Sequence, residues 1–393
     1  MKEVRLGIIG TCRRGALADN AHNPDNGVSI VAGADIAESQ IQRFKDRYTE
    51  KFKHKVNGYL DYKEMFAHEK LDGVFITSPD FCHEEHAVAA LSAGIAVYLE
   101  KPMAISIQGC DRILHTAYEH KTKLMLGHNM RYMSFTNKLK ELADSGIIGS
   151  IKAIWCRHFI SYGGDAYFRD WHAERERAHS LLLQKGAHDI DIIHWIAGSY
   201  TTRVNGFGNL SLYSTLPRRQ NKPLKPEDVT FNETHWPPLD QKDFNPVIDV
   251  EDISMIAMQL ENGVQATYQQ CHFTPDSCRN YTVIGTKGRI ENIGDHHEDT
   301  TVELWNTRCD YYRRNGDATF RTPPTKGSHG GADPKIVNGF VEMIRGISKP
   351  VTTPQAARYS VAAGYLGADS IRNGGKPYEV PKLPKHLENY DFS

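Results

Sequence analysis

The sequence predicts two domains of the α/β class: a doubly wound parallel sheet over residues 1–125, and an α+β domain with a large open, mostly antiparallel sheet over residues 126–393. In the first part, short β-branched segments alternate with helical periodicity, which is typical of βαβ units. In the second part, alternating segments follow one another across short glycine-containing turns, which is typical of hairpins. A chain of 393 residues also exceeds what one core usually holds.

The first domain is predicted from five buried segments of strand length, with a helix over residues 84–93 before the fourth of them. The segments are residues 4–9, 28–34, 73–76, 95–99 and 124–128. Parallel strands end at the same edge of a sheet, and ligands of such sheets bind outside their carboxyl ends.

The second domain is predicted from half-buried strands and their turns. Alternation over residues 151–160 indicates a strand, Asn262-Gly263 indicates a hairpin between residues 254–260 and 264–271, and Lys287-Gly288 indicates one between residues 280–284 and 289–293. The remaining predictions are a surface excursion (214–245), a solvated turn (295–299) and helices (335–373) that stop at a Gly-Gly pair.

Composition argues against several classes of partner. Lys plus Arg number 47 against 48 for Asp plus Glu, so nothing favours binding to nucleic acid or an anionic membrane. The apolar segments fall short of the roughly 20 residues that a membrane-spanning helix needs. Seven scattered cysteines without metal-site spacing indicate reduced thiols, and with a first strand that starts at once they favour a cytoplasmic location.

A glycine-containing loop follows the first strand and precedes a helix. That is the context of a G-x-G-x-x-G dinucleotide fingerprint, in which a pyrophosphate sits at a helix N-terminus. Gly10 and Gly15 occupy the first and third positions, Cys12 the middle one, and Arg13 adds charge. The alternative interpretation is a glycine turn that holds no ligand.

Asp35 ends the second strand, about twenty residues beyond the loop. A carboxylate there is expected to accept hydrogen bonds from the adenosine ribose and to repel a 2′-phosphate, which favours NAD over NADP. Asp35 also precedes a helical stretch, so a helix N-cap is an alternative role that is compatible with the first.

Two further segments end strands at the ligand-binding edge. Ser78-Pro79, followed by His83, ends the third, and Glu100-Lys101-Pro102 ends the fourth. All are predicted to contact the cofactor. Lys101 lies between an apolar residue and a proline, which favours a functional role for it. The alternative interpretation is an ordinary surface lysine.

Together these segments resemble the Gfo/Idh/MocA family, named for glucose–fructose oxidoreductase, inositol dehydrogenase and a rhizopine-catabolism protein. Other matching segments are Asn129-x-Arg131, residues 146–149, residues 186–191 and the tail from His329 to about residue 377, so the resemblance covers nearly the whole chain. It implies a Rossmann domain that binds NAD or NADP and a C-terminal domain that carries the substrate.

The resemblance also implies catalytic roles for Lys101 and His188. Imidazole titrates near neutrality and suits proton transfer, while an ammonium group stabilises developing alkoxide character. Gln184 stands where the family often has Asp, and Lys185 adds a second cation to the predicted substrate site. One alternative for His188 is a buried helix histidine. Another is a metal ligand together with Asp191 and His194, which follow it at helical spacing, but no metal is predicted.

The remaining predicted site residues rest on position alone. Asn129 is expected at the nicotinamide, Arg131 and Arg169 at the substrate, Trp171 at both, and His329 at the substrate. The alternatives are ordinary loop polarity for Asn129 and Arg131, a solvated salt bridge for Arg169, and core packing for Trp171.

The sequence therefore predicts an NAD-dependent dehydrogenase acting on a secondary hydroxyl of a sugar, cyclitol or glycoside. A homodimer or homotetramer is expected through the C-terminal sheet. Two alternatives are a closed-cycle enzyme that holds its nicotinamide, exchanging hydride between sugars or cleaving a glycoside by transient oxidation, and a non-catalytic NAD-binding sensor.

Overall fold

The computed structural model describes residues 3–220, 224, 229–295, 299–323 and 327–393. The chain divides into two compact units: residues 1–132, 327–358 and 383–393 form the first, and residues 133–326 and 359–382 form the second. The predicted single boundary at residue 125 therefore differs from the observed division, because two later segments return to the first unit. Most of the predicted turn at residues 295–299 lies outside the described residues.

Strands and helices alternate in the first part of the chain and segregate in the second. The strands are β1 (Val4–Ile9), β2 (Val28–Ala34), β3 (Asn57–Tyr59), β4 (Gly73–Ile76), β5 (Ala96–Leu99), β6 (Leu124–Leu126), β7 (Ile151–Phe159), β8 (Thr201–Asn209), β9 (Ile253–Leu260), β10 (Gln265–Cys271), β11 (Cys278–Gly285), β12 (Gly288–Ile293), β13 (Thr301–Trp305), β14 (Ala318–Arg321) and β15 (Tyr378–Glu379). The α-helices are α1 (Glu38–Phe52), α2 (Tyr62–His68), α3 (His83–Ser92), α4 (Ile107–His120), α5 (Ser134–Asp144), α6 (Gly163–Tyr167), α7 (Arg175–Ala178), α8 (Leu181–Gln184), α9 (Gly186–Ala197), α10 (Ala332–Arg345), α11 (Pro354–Arg372) and α12 (Lys385–Glu388).

The first unit is a six-stranded parallel sheet in the order β3-β2-β1-β4-β5-β6. This order confirms the predicted doubly wound fold, with β1 and β4 at the centre. β3 was not predicted, because three residues are too few to show a periodic pattern. The helix after the glycine loop is a 3-10 helix, Arg13–Ala21.

α10 explains why a late segment belongs to the first unit. Phe340 lies with its ring centroid 5.1 Å from that of Phe75 and 5.7 Å from that of Tyr98, both from the parallel sheet. Val337 is fully buried in the same core. Helical periodicity predicted helices over this part of the chain, but a periodic pattern does not specify which sheet a helix packs against.

The second unit is a nine-stranded sheet in the order β14-β13-β12-β11-β7-β10-β9-β8-β15. Its neighbouring strands are antiparallel except for β7 and β10, which are parallel. The mostly antiparallel sheet and both predicted hairpins are thus confirmed, and Gly263 in the first hairpin has φ +84°. α9 packs on β7 and β10, which buries one face of the sheet.

The predicted excursion at residues 214–245 is exposed along much of its described length and buried at its ends. Leu216 and Phe244 join a small core with Tyr213, whose ring stacks on Phe168 at 4.0 Å. Residues 221–223 and 225–228 lie outside the described part.

Within the described residues, the search for a helix of the length and hydropathy that would cross a bilayer finds none. All seven cysteines are thiols, as predicted.

Candidate active site

The glycine loop has the shape that a dinucleotide requires. Gly10 has φ +84°, and a Cβ there would lie 2.8 Å from the backbone N of Ser78. A Cβ on Gly15 would lie 2.4 Å from the carbonyl O of Gly10. Side chains are therefore excluded at both positions, while Cys12 and Arg13 are exposed on the outside of the loop. This close backbone turn fits the pyrophosphate of a nicotinamide dinucleotide.

Asp35 holds the loop in this shape. Its Oδ2 accepts hydrogen bonds from the backbone N–H of Thr11 at 3.0 Å and from the Thr11 hydroxyl at 3.2 Å, and its Oδ1 accepts one from the N–H of Ala37 at 3.2 Å. The cap-like bond is the alternative role seen in the sequence, although α1 begins one residue after Ala37. Asp35 remains half-buried, so the carboxylate is accessible at the end of β2.

A buried ion-pair cluster connects the loop to the segment that carries Lys101. Arg14 Nε lies 2.6 Å from Glu100 Oε1, and its two terminal nitrogens lie 2.7 and 3.1 Å from the Asp333 carboxylate. Although burial acts in the opposite direction, hydrogen bonds from His329 and Arg14 hold the pKa of Asp333 well below its usual range. The sequence did not reveal this cluster, because its members are up to 319 positions apart.

His83, another predicted residue at this edge, positions the segment that carries Lys101. His83 is buried, and its ring nitrogens lie 2.7 Å from the carbonyl O of Pro102 and 2.9 Å from that of Ser78. It therefore ties together the ends of two strands and is a positioning residue. Lys101 is half-buried at the end of β5, and its backbone N–H donates to Glu100 Oε2.

Three predicted contacts of the first unit have internal partners. Asn129 is buried and donates to Asp333 Oδ1 at 3.2 Å, and Arg131 is buried and donates to the carbonyl O of Val351 at 3.0 Å. His329 lies in the first unit, 2.9 Å from Asp333 Oδ2, and is half-exposed with φ +49°. These contacts favour structural roles for the buried pair and leave His329 available at the surface.

In the second unit, the predicted catalytic segment spans the junction of α8 and α9. Gln184 is the last residue of α8, and Gly186 begins α9, with Lys185 between them in helical geometry. Gln184 and His188 are one turn apart and both buried. A Cβ on Gly186 would lie 2.9 Å from the ring of Tyr268, so the glycine lets α9 approach the sheet closely.

A buried network lies directly after His188 in α9. Asp189 pairs with Arg279 at 3.1 Å and with His158 at 3.1 Å, and it accepts a hydrogen bond from Tyr281. Burial raises the pKa of Asp189, but Arg279 and His158 outweigh this and hold it well below its usual range. Burial and Arg279 lower the pKa of His158 to about 4, so its imidazole is neutral near pH 7. This network fixes the first turn of α9.

Lys185 lies against aromatic rings. Its Nζ lies 5.2 Å from the ring centroid of Tyr162 and 5.3 Å from that of Tyr167. Burial, followed by repulsion from Arg279, lowers the pKa of Lys185 to about 7.

The two predicted substrate residues before α7 have different surroundings. Arg169 is buried, with its Nε 3.5 Å from Asp165 Oδ1 and its guanidinium 5.2 Å from the ring centroid of Phe244. The alternative for Arg169 was a solvated salt bridge, whereas this ion pair is buried; a substrate role for Arg169 stays a prediction. Trp171 is half-buried and stacks on His172 at 3.7 Å. Packing therefore occupies one face of its ring.

The metal interpretation of α9 finds no support in the described residues. His194 Nε2 lies 2.7 Å from Thr201 Oγ1 and accepts the backbone N–H of the same residue at 3.1 Å. In the described ranges, no group of three or more His, Cys, Asp or Glu side chains is placed to hold a metal ion.

Comparison with protein families identifies both parts of the chain. Residues 4–128 match the model described as the oxidoreductase family with an NAD-binding Rossmann fold. Residues 140–380 match the C-terminal alpha/beta domain of the same family. The two models together cover most of the chain in the order that the resemblance predicted.

Curated relatives are similar to the chain at low identity. A putative oxidoreductase, YteT, from Bacillus subtilis is 26% identical over 354 residues, which cover 80% of each chain. An inositol 2-dehydrogenase from Salmonella typhimurium is 29% identical over 194 residues, which cover 49% of this chain and 53% of that protein. The second match thus spans about half of the relative.

Among solved structures, the fold is similar to that of a myo-inositol 2-dehydrogenase from Lactobacillus plantarum. The TM-score is 0.72 at 20% identity, over 97% of this chain and all of the other. At this identity the likeness shows the fold. With both family models matched, the chain belongs to the Gfo/Idh/MocA family of oxidoreductases and carries its NAD-binding Rossmann fold.

Proposed function

We propose that this protein is an NAD-dependent dehydrogenase that transfers a hydride between nicotinamide and a secondary hydroxyl of a sugar, cyclitol or glycoside. The observation that carries the proposal is the link between the glycine loop and Lys101. Arg14 of the loop is bound to Glu100, so the cation at the end of β5 is held beside the loop that fits the dinucleotide. Membership of an oxidoreductase family supports the same function.

In the proposed reaction, one group of residues binds the dinucleotide and another group handles the proton of the substrate hydroxyl. The backbone turn at Gly10 and Gly15 and the carboxylate of Asp35 would hold the dinucleotide, which supplies the hydride acceptor when bound. Lys101 stabilises negative charge on the substrate oxygen as its proton leaves, and His188 takes that proton. Gln184 has a neutral amide, so it orients a hydroxyl without raising the basicity of His188.

The function is tested by incubating the protein and NAD with a panel of sugars, cyclitols and glycosides while following the absorbance band of reduced nicotinamide. We expect a rise with one substrate class, together with a carbonyl product, and no rise in the His188→Asn variant. If no compound produces a rise and denaturation releases bound nicotinamide, the closed-cycle alternative replaces the proposal.

Substitution of Asp35 tests the cofactor preference. Without a carboxylate that repels a 2′-phosphate, Asp35→Ala should lower the ratio of NADP to NAD dissociation constants by about tenfold, the order expected for one interaction with a charged group. Fluorescence titration with both reduced cofactors measures it. Asp46→Ala, on the exposed side of α1, is the control, and an unchanged ratio in Asp35→Ala would remove Asp35 from cofactor selection.

We further propose that two copies associate through the open face of the nine-stranded sheet. Trp155, Met255 and Phe207 are 50%, 47% and 60% exposed there. Their rows across neighbouring strands contain Thr, Gln and Asn side chains and, toward one side, the charged Arg157 and Glu291. A broad sheet face with central aromatic residues suits a self-complementary interface.

Trp155→Arg should weaken this association by about tenfold or more, since it places like charges opposite each other across a symmetric interface. Light scattering over a concentration series measures the mass. Ile36→Arg, 95% exposed in the first unit, serves as control. A wild-type protein that is monomeric at every concentration would contradict the proposal.

A further inference from the structure

We propose that the substrate is a sugar acid whose carboxylate binds the ammonium group of Lys185. This inference deepens the proposed function, on which it rests, by naming the chemical class of substrate. It begins from the position of Lys185, which precedes His188 by three residues in continuous helical geometry. Side chains at that spacing project from the same face of a helix, so Lys185 and the proposed proton acceptor face the same space.

Among the described residues, Lys185 forms no ion pair, although Asp189 and Asp295 lie close enough to act on its charge. Tyr162 and Tyr167 hold Nζ by their ring faces, which attract a cation without using its N–H donors. Within the part of the chain that the structure describes, Nζ has neither an ion pair nor a hydrogen bond to a side chain.

The nearest carboxylates have partners of their own. Asp189 is bound by Arg279, His158 and Tyr281, and Asp295 accepts the backbone N–H of Arg279. Lys185 and Arg279 thus share a region with two carboxylates, and both carboxylates are engaged by Arg279. Among the described residues neither carboxylate forms an ion pair with Lys185 Nζ, so a substrate carboxylate would supply an acceptor for its N–H donors.

The two imidazoles near Lys185 add no further positive charge. Burial lowers the pKa of His158 to about 4, with a contribution from Arg279, and lowers that of His272 well below its usual range. Both imidazoles are neutral near pH 7.

Burial also affects the charge of Lys185 itself. A buried ammonium without a counter-ion is costly, and the pKa of Lys185 is lowered to about 7, so part of the population carries a neutral amine. A carboxylate at Nζ would favour the charged form. Binding of the proposed substrate is therefore accompanied by uptake of a proton.

The experiment is isothermal titration calorimetry at pH 7 with NAD present, using three pairs of ligands: D-glucose and D-glucuronate, D-galactose and D-galacturonate, and D-mannose and D-mannuronate. We expect at least one uronate to bind about tenfold or more tightly than its neutral partner, the scale of one charge-assisted hydrogen bond. Repeating the titration in buffers of different ionisation enthalpy should show uptake of about half a proton, since a group with a pKa near 7 is half protonated at that pH.

Two variants distinguish the effect of the positive charge at position 185 from the effect of its protonation on binding. Lys185→Met, which replaces the buried charge with an apolar chain of similar length, should lose both the preference for the uronate and the proton uptake. Lys185→Arg should keep the preference without proton uptake, because guanidinium stays charged. Circular dichroism and the melting temperature show whether each variant is folded.

The proposal is overturned if no uronate binds more tightly than its neutral partner, or if folded Lys185→Met keeps the preference. Reduction of NAD by a neutral sugar at the same rate in wild type and Lys185→Met would also overturn it, while leaving the dehydrogenase function intact. Failure of NAD reduction with all substrates would count against the proposed function instead.

Discussion

Replacing Lys101 with methionine should lower kcat by about a thousandfold while leaving the dissociation constant for NAD within about threefold, because loss of one preorganised charge costs on this order in the transition state. The methionine keeps much of the apolar length of the side chain. Glu100 keeps its contacts with Arg14 and with the backbone of residue 101, so the segment should retain its position. Steady-state rates of NAD reduction and a fluorescence titration with NADH provide the two quantities.

Lys55→Met, at an exposed position of the first unit, is the matched control and should change neither quantity. Retention of wild-type kcat by Lys101→Met would remove this residue from the mechanism. A loss of NAD affinity that equals the loss of rate would instead assign Lys101 to cofactor binding.

Asp189→Ala should lower the free energy of unfolding of the second unit by about 3–5 kcal/mol, since it leaves the buried charge of Arg279 without its partner. The carboxylate is completely buried between Arg279, His158 and Tyr281. Urea denaturation followed by tryptophan fluorescence measures the change, with Asp310→Ala, an exposed residue of the same unit, as control. A loss below about 1 kcal/mol would show that the network contributes little to stability.

The same carboxylate predicts a direction for acid sensitivity. Because the pKa of Asp189 in the folded protein lies well below its usual range, its stabilising contribution is complete above the unfolded pKa of about 4 and is lost as the pH falls further. The difference in unfolding free energy between wild type and Asp189→Ala should therefore shrink on acidification below pH 4.

Local patterns were sufficient to predict the order of the main elements. Alternation marked β7, β9 and β10, and Gly263 marked a hairpin, since each pattern depends on neighbours in sequence. The parallel pairing of β7 with β10 was not predicted, because no local pattern specifies partners 110 or more positions apart. The placement of α10 was missed for the same reason.

In the candidate site, too, local motifs could be predicted from the sequence, whereas contacts between distant residues could not. Gly10, Gly15, Asp35 and Lys101 could be predicted as site residues because their motifs lie directly after strands. Asn129 and Arg131 were assigned to ligands, yet both are buried against protein partners, which residue type alone does not reveal. The network of Asp189 has members on two separate strands and a helix, so only the fold assembles it.

The most direct test of hydride transfer follows the hydrogen atom itself. The panel compound that reduces NAD fastest is prepared with deuterium on the carbon that bears the reacting hydroxyl, and the reduced cofactor is analysed by mass spectrometry. We expect the reduced nicotinamide to gain one deuterium with the wild-type protein, and we expect Lys101→Met to form almost no reduced cofactor. Reduced cofactor without deuterium, or no reduced cofactor with any compound, would contradict the proposed transfer from a secondary alcohol.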